Sequence, residues 1–262
     1  MITSFKLETL KALFLLTFLV SCSPPENHGS IEPGCNSSGT VQSGQIENAR
    51  RGYTYTFKIY LPPCYKPAIK PGYPVVYLVP GLGGSINVWY NVEVNEIADQ
   101  LIIDDQIPPF IIVTTESSSN DPYVEDIYSD LIPYIDRQFN TLKDRNHRAV
   151  AGGSLGGIAA YRLVFQYPDE FASVGIFGSG VINGENEQVK NWLAETSSQN
   201  RPRVFINVGE QDPLMLDQAY EMTEILKQYS IPYEFIVEDG DHSYAYWATN
   251  MKTFFRWVAL DW

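Results

Sequence analysis

Arg148-Ala149-Val150-Ala151-Gly152-Gly153-Ser154-Leu155-Gly156-Gly157-Ile158-Ala159-Ala160-Tyr161-Arg162-Leu163-Val164-Phe165 is the stretch that decides the fold. Its first four residues read as the end of a buried strand, and the run from Gly157 reads as an amphipathic helix. Between them lies G-x-S-x-G. A serine on a sharp strand-to-helix turn, with glycine two residues before and two after, is a nucleophile elbow. The glycines remove side chains that would clash in so tight a turn.

Strand and helix patterns alternate on either side. Tyr53–Tyr60 is rich in β-branched and aromatic residues and stands as the candidate first strand. Tyr73–Val79, Phe110–Thr114, Phe171–Phe177, Arg203–Val208 and Tyr233–Val237 read as further strands, several of them continuous apolar runs typical of strands buried on both faces. Helical spacing runs over Tyr123–Phe139, Leu214–Tyr229 and Trp247–Leu260. The expectation is an α/β fold with a mostly parallel central sheet and helices on both faces. In such sheets functional groups gather at the carboxyl ends of the strands. The elbow and the loops Pro80–Gly84, Gly209–Asp212 and Asp239–His242 each follow a strand directly, so all four are predicted on one rim.

A serine hydroxyl needs a base, and the base needs an orienting partner. The chain has 3 histidines. His28 precedes the domain, and His147 stands at the far end of the elbow strand. Only His242 lies on the expected rim and follows Ser154 in the chain. Asp212 is the favoured acid, with Glu210 the main rival and Asp239 and Asp241 behind it. Asp212 also precedes Pro213 near a helix start, where it could act as a cap. The oxyanion donors are assigned to the backbone N–H groups of Leu155, next after the serine, and Leu82. In the loop after Tyr73–Val79, Pro80 has no N–H to offer, while Gly81, Leu82 and Gly83 can each bring an amide close to a substrate. Trp89, Glu116, Asn120 and Trp247, on or near rim loops, are candidate substrate-binding residues. No metal spacing or dinucleotide fingerprint is present, so no cofactor or metal is expected.

The ordered segments Tyr60–Tyr65, Tyr73–Gly84, Asp130–Asp136, Arg148–Gly157, Phe171–Gly180 and Asp241–Trp247 resemble one branch of the α/β-hydrolase superfamily. That branch, the esterase branch, includes enterochelin esterases, feruloyl esterases, S-formylglutathione hydrolases and mycolyltransferases. The resemblance implies the α/β-hydrolase fold and a serine esterase in which Ser154, Asp212 and His242 match the triad, and Leu82 and Leu155 the oxyanion donors. One departure stands out. Family members usually carry His where this chain has Pro80, which puts a hydrogen bond that shapes the oxyanion loop in question. Some relatives use Glu as the acid, which keeps Glu210 open. An acyltransferase or serine peptidase of the same fold, and a non-catalytic surface binding module, remain as alternative readings.

The N-terminus reads as an export signal. Lys6 and Lys11 precede the short apolar run Ala12–Val20, too short for an ordinary membrane span. Leu19-Val20-Ser21-Cys22 resembles the lipobox of bacterial lipoproteins, in which the cysteine carries the lipid. The expected organisation is therefore a signal peptide over 1–22, a tether over 23–35 and an α/β-hydrolase esterase domain over 36–262. The expected location is the bacterial cell surface or periplasm. With Cys22 lipidated, Cys35 and Cys64 remain as an even pair in an oxidising compartment, and a disulfide between them is predicted. The formal charge of −13, with no basic stripe, argues against nucleic acid and against electrostatic lipid binding. Membrane contact is expected through the lipid alone. The expected partner is a small ester or an ester-bearing glycan.

Overall fold

A computed structural model describes residue 35 and residues 37–48, 52–116 and 123–262. The predicted signal peptide with Cys22, most of the tether and Asn120 lie outside the described residues. Eight strands form one sheet: β1 Thr40–Asn48, β2 Tyr53–Leu61, β3 Val75–Val79, β4 Ile111–Thr115, β5 Arg148–Gly153, β6 Ser173–Phe177, β7 Arg203–Gly209 and β8 Tyr233–Glu238. Their order across the sheet is β1-β2-β4-β3-β5-β6-β7-β8. The β1/β2 and β2/β4 pairs are antiparallel, and every pair from β4 to β8 is parallel.

The central strands are buried along their whole length. Alternate residues feed two cores. Val75, Tyr77, Val79 and Val150 join one with α4 Leu155–Gln166 and α6 Leu216–Gln228. Val76, Leu78, Ala149 and Ala151 join the other with α1 Val94–Ile103 and α8 Met251–Val258. Helices thus cover both faces, as the apolar strand runs predict.

The first strand is a correction. β1 precedes Tyr53–Tyr60 and pairs along its whole length with β2, from Thr40 opposite Leu61 to Asn48 opposite Tyr53. It is an edge strand of which only Ile46 and Asn48 are buried, so it lacks the apolar alternation that marks a strand. Two predicted helices are also interrupted. The one over Tyr123–Phe139 contains a π-helical turn at Ile127–Leu131 between α2 Tyr123–Asp126 and α3 Ile132–Gln138. Pro133 near the start of α3 has no N–H for a regular bond one turn back, and Ile132 N–H reaches Ile127 instead. The C-terminal helix breaks at Asn250 into α7 Tyr244–Thr249 and α8. α1 and α5 Asn186–Glu195 have no counterpart in the sequence reading. Cys35 and Cys64 are joined by the predicted disulfide, which ties the segment before β1 to the loop after β2.

Candidate active site

The parallel run of β3 to β8 brings the elbow and the loops after β3, β7 and β8 to one rim of the sheet. Ser154 sits between β5 and α4 with φ 54° and ψ −123°, a conformation rare outside glycine. The turn is held by the Ser154 N–H, which donates to the Phe177 carbonyl at 2.9 Å, and by the Gly157 N–H donating back to the Ser154 carbonyl at 2.9 Å. The backbones around it touch. A Cβ on Gly156 would stand 2.2 Å from the Val79 carbonyl oxygen, and one on Gly152 would stand 2.3 Å from the Gly156 carbonyl carbon. These contacts are the physical reason for the G-x-S-x-G spacing.

The Ser154 Oγ lies 2.9 Å from His242 Nε2, and His242 Nδ1 lies 2.7 Å from Asp212 Oδ2. The carboxylate only accepts, so Nδ1 carries the ring proton and Nε2 is left to accept from the serine. The Asp212 side chain is fully buried, and that of His242 is 19% exposed. The second Asp212 oxygen accepts the N–H groups of Leu214 and Met215, each at 3.0 Å. Capping and contact with His242 are therefore simultaneous: one oxygen does each. Glu210, Asp239 and Asp241 are exposed. His147 pairs with Asp144 at 2.8 Å, just before β5 and so at the opposite end of that strand from Ser154.

Leu155 is the first residue of α4, where N–H groups have no intrahelical acceptor and the helix dipole is positive. In the loop after β3, the Gly81 N–H donates to the Tyr244 hydroxyl at 2.6 Å and the Gly84 N–H donates to the Gly81 carbonyl at 2.9 Å. The Leu82 amide lies between these two engaged amides, and its side chain is 71% exposed. Burial pushes the Tyr244 phenol above its ordinary range, with the Gly81 hydrogen bond opposing, so the hydroxyl stays neutral.

Two predicted substrate residues are placed differently from the expectation. Trp89 has no exposed surface and donates its indole N–H to the Val79 carbonyl at 3.3 Å. Trp247 is 2% exposed and meets the His242 ring edge-on at 5.2 Å. Both tryptophans back the rim from beneath. Glu116 accepts the Thr56 N–H at 2.9 Å, which ties the end of β4 to the neighbouring β2. The sequence reading missed the role of α7. Within that helix Tyr244 reaches Gly81, Trp247 backs His242, and the Tyr246 hydroxyl accepts from Asn207 at 3.0 Å and donates to the Val208 carbonyl at 3.1 Å. Among the described residues no group of three or more His, Cys, Asp or Glu could hold a metal ion.

The family described as "Putative esterase" matches residues 49–258, most of the chain. The chain belongs to that esterase family. A curated relative, the endo-1,4-beta-xylanase/feruloyl esterase of Xylanibacter ruminicola, is 27% identical over 226 residues. That alignment covers 80% of this esterase-family chain but only 30% of the relative, so the chain spans less than a third of that protein's length. Among solved structures, a mutant feruloyl esterase module from Clostridium thermocellum, complexed with sinapinate, superposes with a TM-score of 0.76 at 19% identity. That match covers 87% of this chain and 90% of the module. The S-formylglutathione hydrolase of Staphylococcus aureus superposes with a TM-score of 0.70 at 18% identity, covering 85% of this chain and 98% of that one. The fold of this family member is the α/β-hydrolase fold.

Proposed function

We propose that the chain hydrolyses carboxylic esters through an acyl-enzyme on Ser154. His242 Nε2 removes the Oγ proton as Oγ attacks the ester carbonyl. Asp212 holds the ring in the productive tautomer and stabilises the imidazolium. The amides of Leu82 and Leu155 receive the oxyanion. His242 then gives its proton to the leaving alcohol, and water repeats the steps to release the acid. The observation that carries this reading is the chain of short contacts from buried Asp212 through His242 to a serine held at positive φ. Ser154→Ala is expected to lower kcat for p-nitrophenyl acetate by about 10⁵-fold or more, and to abolish labelling by a fluorophosphonate. Unchanged hydrolysis would overturn the assignment.

For the substrate we infer an aromatic acyl ester of the feruloyl type, carried on a small molecule or a glycan. The names of the Xylanibacter and Clostridium relatives support it. So do the exposed apolar side chains of Leu82 and Leu214 on the rim loops, which suit an apolar acyl group better than a charged one. Turnover of methyl ferulate, compared with p-nitrophenyl acetate and S-formylglutathione, tests this; preference for the thioester would refute it. We also infer export and lipid attachment at Cys22, supported by the N-terminal pattern and by the Cys35–Cys64 disulfide. Cys22→Ser is expected to move the protein from the membrane fraction to the soluble one.

A further inference from the structure

We propose that the Tyr244 hydroxyl is the strut of the oxyanion loop, accepting the Gly81 amide and so holding the Leu82 amide toward the oxyanion formed on Ser154. The inference rests on the ester-hydrolysis reading of the site and gives Tyr244 a positioning role within it.

Four observations converge. The Gly81 N–H···O contact is 2.6 Å and links residues 163 apart in the chain, so it is a tertiary tie and not a feature of the loop alone. Pro80, just before it, has neither a backbone N–H nor a polar side-chain atom with which to brace the loop. The phenol oxygen stands inside the turn. It is 3.4 Å from where a Cβ on Gly81 would be and 3.3 Å from where one on Gly84 would be, and the same Gly81 position is 3.3 Å from the Ser154 Cβ. Strut, loop and nucleophile therefore form one contact layer. Finally, Tyr244 is itself fixed. It opens α7 directly after Ser243, whose side chain accepts the Tyr246 N–H. Its ring meets Trp89 edge-on at 5.0 Å and Trp247 at 4.9 Å.

The consequence for the oxyanion is specific. An amide already bonded to a phenol is not free to receive developing charge. The Gly81 N–H is therefore spent on shape, and the donor from this loop is the next amide, that of Leu82. A strut of this kind acts on the transition state. It fixes a donor aimed where charge appears and leaves ground-state binding of the ester largely untouched.

The test is Tyr244→Phe, which keeps the ring contacts and deletes only the oxygen. With p-nitrophenyl acetate, kcat is expected to fall about 10-fold or more, with KM within about twofold of the native enzyme. Affinity for a trifluoromethyl ketone, which forms a tetrahedral adduct on the serine, should fall by the same factor as kcat/KM, while affinity for the carboxylate product stays constant. A second variant, Leu82→Pro, removes the assigned amide. If the strut acts through that amide, the double variant Tyr244→Phe/Leu82→Pro loses no more kcat than Leu82→Pro alone. Native kcat in Tyr244→Phe, a loss confined to KM, or additive losses in the double variant would each overturn the strut. These results are separable from failure of the parent reading, which requires Ser154→Ala to retain hydrolysis.

Discussion

Asp212 illustrates how one side chain resolves two competing readings of a sequence. Asp-Pro before a helix signals a cap, and an acid after a rim strand signals a partner for histidine; the carboxylate has two oxygens and uses one for each. The two roles separate by mutation. Asp212→Asn retains an acceptor for the cap but can present an N–H to His242 and so favour the wrong tautomer. Its kcat is expected to fall by about 10³–10⁴-fold, with a melting temperature near native. Asp212→Ala is expected to lose the same activity and also about 1–2 kcal/mol of stability, measured by urea unfolding, because the two amide bonds go as well. The contact of Ser154 with His242 was legible in the sequence because the motif singles out the first and scarcity of histidine the second; the contact of Asp212 was legible only in part, since Glu210 follows the same strand. The direction in which a rim residue points is not written locally. Trp89 and Trp247 lie close to the site in sequence, yet both are buried, and the contact of Tyr244 with Gly81 exists only once segments 163 residues apart meet.

At the scale of elements, the elbow is a three-body packing problem among β3, β5 and α4. The Gly156 Cα faces the Val79 carbonyl, and neither is a side-chain atom that can rotate away. Gly156→Ala is therefore expected to destabilise the fold by about 3 kcal/mol or more, or to prevent folding, as read from denaturant midpoints. Leu163→Ala, far along the same helix, is expected to cost about 2–5 kcal/mol of stability through a cavity while leaving kcat near native in the folded fraction. The buried parallel strands were legible because burial on both faces demands continuous apolar runs. β1 was not, because an edge strand facing solvent needs no such pattern. The π turn before Pro133 and the break at Asn250 were hidden for a related reason: apolar periodicity of about 3.6 residues survives a local change in hydrogen-bond register.

For the whole molecule, the disulfide joins residues separated by 29 positions and closes β1 and β2 into a loop. By the entropy of an unfolded loop of that length, its contribution is on the order of 3 kcal/mol. Reduction, or Cys35→Ser with Cys64→Ser, is expected to lower Tm without altering kcat, since neither cysteine belongs to the rim loops around Ser154; calorimetry in the presence and absence of a reductant measures it. The mostly parallel sheet with both faces covered was readable from alternation of strand and helix; the order of the strands across it was not. Nor was the pairing of distant rim loops, because it depends on which loop tips touch across the sheet. The Tyr244–Gly81 contact turns that pairing into a rule of inheritance. The loop after β3 and the first turn of α7 come from distant parts of the sequence, Gly81 and Tyr244 being 163 residues apart, yet each is shaped to the other. Recombination with a relative that swaps one without the other should yield chimeras that fold and turn over slowly, whereas exchanging both as a matched pair should restore the rate.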